Sequence, residues 1–199
     1  TSFKREIMDL YFARHCRFII CCDSGIGLAA AHLFQKRQII INSPQWVTTY
    51  PMRQGDLAIY KHIYSLSRNR FLSLEELLEE PFAYGSHYPP AVRDYVYYEN
   101  TPQEIRDVIT EFLSKPKDYP HSLLQEGFNS RRKAQIYKWL ERDVFFEDFE
   151  QDMSEKYRTA AYCEGNAGAV GQKFLEQNWE TDSYGKITAL AGKGDPIHK

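Results

Sequence analysis

The residues best suited to chemistry in this chain of 199 lie in the stretch RFIICCDSGIGLAAAHLFQKRQIIIN, residues 17–42. Asp23, Ser24, Gly25 and Gly27 follow one apolar run and open an alanine-rich segment. A helix that starts at the end of a strand aims backbone N–H groups without intrahelical acceptors at one spot, with the positive end of its dipole behind them. Ser24 can cap that helix or donate its hydroxyl to a phosphate oxygen. Gly25 and Gly27 leave room for a bulky anion to approach the amides. The dipole alone contributes about 0.3–1 kcal/mol, rising to ~2 when partly buried, so phosphate affinity needs several amides and a cation. Arg53, Lys61, His62, Arg68 and Arg70 come later in the chain and are the candidates. Asp23 would repel a phosphate and better suits backbone amides or a sugar hydroxyl. The plain alternative is a strand-to-helix turn that holds nothing, with His62 a structural histidine.

Other chemistries find less support. Cys16, Cys21, Cys22 and Cys163 lack the paired C-x2-C spacing of a metal site, so none is expected. Three of them sit in or beside an apolar strand and read as buried small hydrophobes. Adjacent cysteines on a strand point to opposite faces and lack the electropositive setting of a reactive thiolate, which argues against a thiol redox protein.

The elements that position the turn are legible from periodicity. Residues 3–14 read as a helix, with Phe3, Ile7, Leu10 and Tyr11 at 3–4 spacing. RFIICC (17–22) reads as a strand buried on both faces, 26–34 as a helix and 38–42 as the next buried strand. The interval fits a right-handed βαβ crossover between parallel strands. Residues 43–70 lack clear periodicity apart from a short strand at LAIY (57–60). Ser73 with Glu76 forms a capping box for a helix over 73–80, ended by Pro81. A Tyr/Pro-rich loop (82–94) leads to a third strand at 95–100. Thr101, Pro102 and Glu104 then start a helix that Pro116 ends. Residues 128–164, free of Gly and Pro, predict one long or two consecutive amphipathic helices, and 165–179 one more, softened by its glycines. The tail from Thr181 is expected to be loose. This divides the chain into 1–120, a helical extension over 121–180 and a tail over 181–199.

Net charge is −2, against the basic surplus of a general nucleic-acid binder. No run approaches a membrane span and no secretory signal pattern appears, so a cytoplasmic location, free or peripheral at the inner membrane, is expected. A chain opening on Thr1 reads as processed or partial.

RFIICCDSGIGLAAAHLFQKRQIIINSP, then GDLAIYKHIYS, FLSLEELL and YYENTPQEIRDVITEFL, form a series. In that order they resemble the C-terminal part of a family of bacterial glycosyltransferases associated with surface-polysaccharide synthesis. The likeness covers about residues 3–115, and KFLEQNW (173–179) resembles the family's closing segment. It implies an α/β fold: a Rossmann-like parallel sheet with flanking helices, the donor half of a GT-B enzyme. The activity implied is transfer of a sugar from a nucleotide-sugar donor to a hydroxyl on a sugar or glycan acceptor, without metal or other cofactor. Asp23, Ser24, Gly25 and Gly27 would line the diphosphate pocket, with Asn42 and Pro44 at the next strand's end. Lys61 would be the phosphate cation, and Glu99 and Asn100 would face the ribose or sugar. Cys21 and Cys22 depart from the family's small Gly-x pair, and IGLAAAH from its commoner continuation. The acceptor site and catalytic base would belong to an N-terminal domain missing here, leaving this chain inactive alone. A reading from another class is a non-catalytic interaction module that docks through the 128–164 helices.

Overall fold

The computed structural model describes residues 2–22, 24–44, 51, 53–79, 94–116, 118, 120–141, 165 and 167–179. One sheet is wholly parallel, in the order β1 (Phe18–Cys21), β2 (Arg37–Ser43), β3 (Leu57–Tyr60) and β7 (Ala169–Val170). A second, antiparallel sheet has the order β5 (Arg70–Phe71), β4 (His62–Ser65) and β6 (Tyr95–Tyr98). The helices are α1 (Ser2–His15), α2 (Gly25–His32), α3 (Leu74–Glu79), α4 (Pro102–Ser114), α5 (Leu123–Glu141) and α6 (Gln172–Asn178). None of the described helices is long and apolar enough to cross a membrane.

The βαβ unit forms where the sequence places it. β1 and β2 pair in parallel with Ile20 beside Ile39, and α2 makes the crossover. Ala30 and Ala31 are fully buried, and Gly27 lets α2 approach β1: a Cβ there would lie 2.5 Å from Cys21 Sγ. Such a contact needs something to move. This Rossmann-like arrangement sets the first turn of α2 at the carboxyl end of β1.

β1 itself departs from expectation. It is the edge strand of the described sheet, half-buried, with Ile20 exposed; the reading of a strand buried on both faces is corrected. Among the described residues nothing pairs with its outer side. The cysteines beside it follow suit: Cys22 is exposed and Cys16 and Cys21 are half-buried, so none of the three is a core residue.

The stretch 43–70 is richer than its periodicity suggests. β4 starts one residue after β3 ends, so the chain passes from the parallel sheet into the antiparallel one across Lys61. The strand expected at 95–100 exists over 95–98, but it joins this second sheet, pairing with β4 in antiparallel register. Both helix starts are confirmed in detail. In α3, Ser73 Oγ accepts from the Glu76 amide and Glu76 returns the bond to the Ser73 amide. In α4, Thr101 and Glu104 form the same reciprocal pair, with Pro102 in the first turn. Val108 and Phe112 then face inward, and Phe112 meets Phe18 with ring centroids 5.3 Å apart.

The end of the chain returns to the beginning. Residues 165–179, expected as one helix, split at Gly171 into β7 and α6. β7 pairs with β3, and Phe174 and Leu175 of α6 enter the core formed by Ile59, Ile63 and Val108. A Cβ on Gly171 would stand 3.1–3.2 Å from Val108 and Ile59, so the turn into α6 needs a small residue. α5 starts at Leu123, earlier than the expected 128, and turns Phe128 and Ile136 into this same core. The proposed extension over 121–180 thus contributes a strand to the first sheet. The rest of the helices expected over 128–164, the loop at 82–93 and the tail from 181 lie outside the described residues.

Candidate functional site

The parallel strands β1, β2 and β3 end on one side of the sheet, and most of the candidate residues collect there. Ser24 stands at the N-cap of α2 in extended backbone (φ −143°, ψ 146°), yet its side chain makes no capping hydrogen bond. The helix start is held instead by the backbone, through Gly27 N–H donating to Ser24 C=O at 3.1 Å. Around Gly25 an added Cβ would meet nothing within 4 Å. The first-turn amides of Gly25 and Ile26 belong to those an α-helix leaves without an intrahelical acceptor. Space, amides and an uncommitted capping position therefore coincide. Gly27 differs: it is buried against Cys21, and its smallness serves helix–strand packing rather than ligand access. Asp23 lies outside the described residues.

One strand over, β2 ends in a distortion. Asn42 adopts the left-handed conformation (φ 54°), where the β2–β3 register shifts between Ile40 and Ser43. Asparagine tolerates this region better than most residues. The turn lets Asn42 and Asn100, 58 positions apart, exchange two hydrogen bonds. Asn42 N–H donates to Asn100 Oδ1 at 2.7 Å and Asn100 N–H to Asn42 Oδ1 at 2.6 Å. Asn100 Nδ2 donates further to Tyr60 C=O at 2.6 Å. Asn100 is buried, and these bonds stitch the end of β6 to the ends of β2 and β3. Asn42 stands at the carboxyl end of β2, and the two asparagines have their side-chain oxygens bonded to each other's backbone.

Lys61 comes directly after β3, its amide donating to Ser43 C=O at 2.9 Å. Its ammonium pairs with Glu99 Oε1 at 2.7 Å, with Lys61 24% and Glu99 42% exposed. An exposed pair of this kind is worth roughly 0.2–1 kcal/mol, little enough for an incoming dianion to exchange with. The other sequence-derived cations are corrected. Arg53 lies before β3, where its carbonyl accepts from the Asp56 amide, at the opposite end of the strands. Arg70 makes a bidentate pair with Glu76, and Arg68 stands 3.7 Å from the same carboxylate, in the turn beyond β4. His62 is buried, its Nε2 within 2.9 and 3.1 Å of the two Glu104 oxygens and its ring near Phe71 and Phe174. It is a structural histidine.

Glu104 is the residue that motif reading undervalued. Beyond its capping role, it anchors His62 of β4 to α4. Burial pushes its carboxyl up, but the His62 hydrogen bond and charge and the Thr101 contacts outweigh this and hold it below the ordinary value. Only the capping spacing was visible locally; the histidine lies 42 positions away. A groove of about 440 Å³ approaches from the other side, lined by Phe12, Cys16, Phe18, Ile20 and Ile26 among others, between α1 and the open side of β1. Among the described residues no cluster of three or more His, Cys, Asp or Glu could hold a metal ion.

Fold and site together define a Rossmann-like α/β protein whose strand ends gather a helix start, an asparagine clamp and one ion-paired lysine. Comparison with protein-family models, curated proteins and solved structures finds no match to this chain.

Proposed function

We propose that the chain is the nucleotide-sugar-binding part of a glycosyltransferase that moves a sugar from its nucleoside-diphosphate donor to a hydroxyl of a sugar or glycan. The observation that carries this reading is the Ser24–Gly25 turn: a Ser24 side chain without a capping bond, room around Gly25 and a helix start at the end of a parallel strand, where open α/β sheets bind ligands. Ser24, Gly25 and the Ile26 amide would take the diphosphate. Lys61 would leave Glu99 for it and offset the leaving group's charge, with Glu99 freed toward the sugar or ribose. Asn42 and Asn100 would hold the shape of this corner. Acceptor binding and the catalytic base are assigned to a further, N-terminal domain of GT-B type. One feature supports the need for such a partner: the exposure of Ile7, Met8, Leu10, Tyr11 and Phe12 along α1.

The test is thermal denaturation with UDP- and GDP-sugars. Binding at one hundred times the dissociation constant adds about 2.7 kcal/mol, and Ser24→Ala and Lys61→Ala should each reduce the resulting rise in Tm. A chain indifferent to every nucleotide sugar would sink the reading. Turnover is expected to be absent from this chain alone, and robust transfer by it would refute the assignment of the base to another domain. The exposed apolar residues of α1 also favour a second reading, a non-catalytic interaction module. Its docking surface would then include α1 beside the 128–164 helices; of the latter, Phe128 and Ile136 are buried internally and residues 142–164 lie outside the described residues.

A further inference from the structure

We propose that Asp56 is a proton-operated latch that fastens the amino ends of β2, β3 and β7 when neutral and loosens them when ionised. Asp56 immediately precedes β3 and is fully buried. Its Oδ1 accepts from the Gln38 amide of β2 at 2.9 Å, and its carbonyl from the Ala169 amide of β7 at 3.0 Å. Its own amide donates to Arg53 C=O at 3.0 Å, closing the turn that leads into β3. One residue thus joins three strands and a turn, at the end of the sheet opposite the candidate site.

The second carboxyl oxygen decides the chemistry. Oδ2 is buried without a hydrogen-bond partner. Arg37, the neighbouring cation on β2, does not complete it. Its terminal nitrogen donates to Gly55 C=O at 2.8 Å, its guanidinium lies 3.9 Å from the centre of the Phe112 ring, and its Nε is itself buried and unbonded. Among the described residues, Arg53 in the turn is the other charge acting on the carboxyl, and the residues of β7 are the apolar Ala169 and Val170. A buried carboxylate with half of its charge unsolvated is costly, whereas the neutral acid is much less so. Burial accordingly pushes the Asp56 carboxyl from 3.8 up to about 6, against the downward pull of the Gln38 bond and the two arginines.

A folded-state value above the unfolded one sets the sign. Below about pH 4 both forms are neutral and the latch is closed. Its closed state loses ground as pH rises from about 4 to about 6 and stays weakened above that. A displacement of this size corresponds to a roughly hundredfold change in the closed-to-open ratio. Since β7 is only two residues long, opening would loosen its pairing with β3.

Hydrogen exchange followed by NMR tests this, with rates converted to protection factors to remove the intrinsic pH dependence. Protection of the Gln38 and Ala169 amides should fall about tenfold between pH 5 and pH 7.5, while that of Val108 in α4 changes far less. Asp56→Asn should keep the pH 5 protection at both values. Equal protection at the two pH values in the wild type, or the same fall in Asp56→Asn, would overturn the latch. So would an equal fall at Val108, which marks global unfolding. Should Asp56→Asn not fold, the carboxyl ¹³C shift of Asp56 in the wild type decides: titration near 6 supports the proposal and titration near 4 refutes it.

Discussion

Two glycines separated by one residue answer to different constraints. Gly27 is required by packing, since a methyl group there would come within 3.0 Å of Cys21 Cβ and closer still to its sulfur. The cysteine side chain is short and lies on β1, so it cannot swing away cheaply. Gly27→Ala should therefore destabilise the fold by roughly 1–3 kcal/mol, read as a lower urea midpoint, and Cys21→Ala in the same chain should restore much of the loss. Gly25 has neither constraint: its surroundings are open and its φ is not in the left-handed region. Gly25→Ala should leave stability within about 0.5 kcal/mol of wild type yet weaken nucleotide-sugar binding by crowding the amides. Stability and ligand response measured on the same two variants separate the roles. A Gly25→Ala chain with undiminished ligand response would remove Gly25 from the site.

Local reciprocity made some elements readable and its absence hid others. The boxes at Ser73–Glu76 and Thr101–Glu104 are complete within four residues, so their spacing reveals both helix starts. HIYS, which forms β4, is short and half polar, and β7 is two residues beside glycines. Each becomes a strand only through partners far along the chain, and no window of sequence contains them. The same limit applies to the site. Asn42 and Asn100 were nameable through the resemblance, but their mutual clamp was not, nor was the loss of Arg68 and Arg70 to Glu76. That last pairing has its own consequence for α3. The Arg70 hydrogen bonds, aided by the Ser73 amide and against partial burial, hold the Glu76 carboxyl at about 2 rather than 4.5. Its folded-state value is lowered, so the stabilisation is full above about pH 4.5 and is lost as pH falls toward 2. Urea denaturation should show wild type more stable than Glu76→Gln by about 1 kcal/mol at pH 6, with the gap closing by about pH 2.5. A gap that ignores pH would mean that shape, not charge, joins α3 to β5.

At the scale of the molecule, the question is whether residues 1–120 form a unit, as the motif series suggests, or depend on the segment C-terminal to them. Shared burial argues for dependence. Phe128 and Ile136 of α5, Val170 of β7, and Phe174 and Leu175 of α6 are all buried in the core shared with β3, β4 and α4. Full burial of such a side chain contributes roughly 1.5–3 kcal/mol, and five together match the whole stability of an ordinary domain, about 5–15 kcal/mol. Removal would also strip β3 of its β7 partner and expose Ala58 and Ile59, now fully buried, on that side. The loss is too large for the remaining contacts to absorb. A chain ending at residue 120 should therefore show no cooperative thermal transition by circular dichroism and poor dispersion of its amide NMR signals, while the full chain melts in one step. Adding residues 121–179 back as a separate polypeptide should restore a transition if the two pieces recognise each other through β7 and α6. A cooperative melt of the 1–120 fragment within a few degrees of the full chain would show instead that the returning strand and helix are accessory, and that the core closes without them.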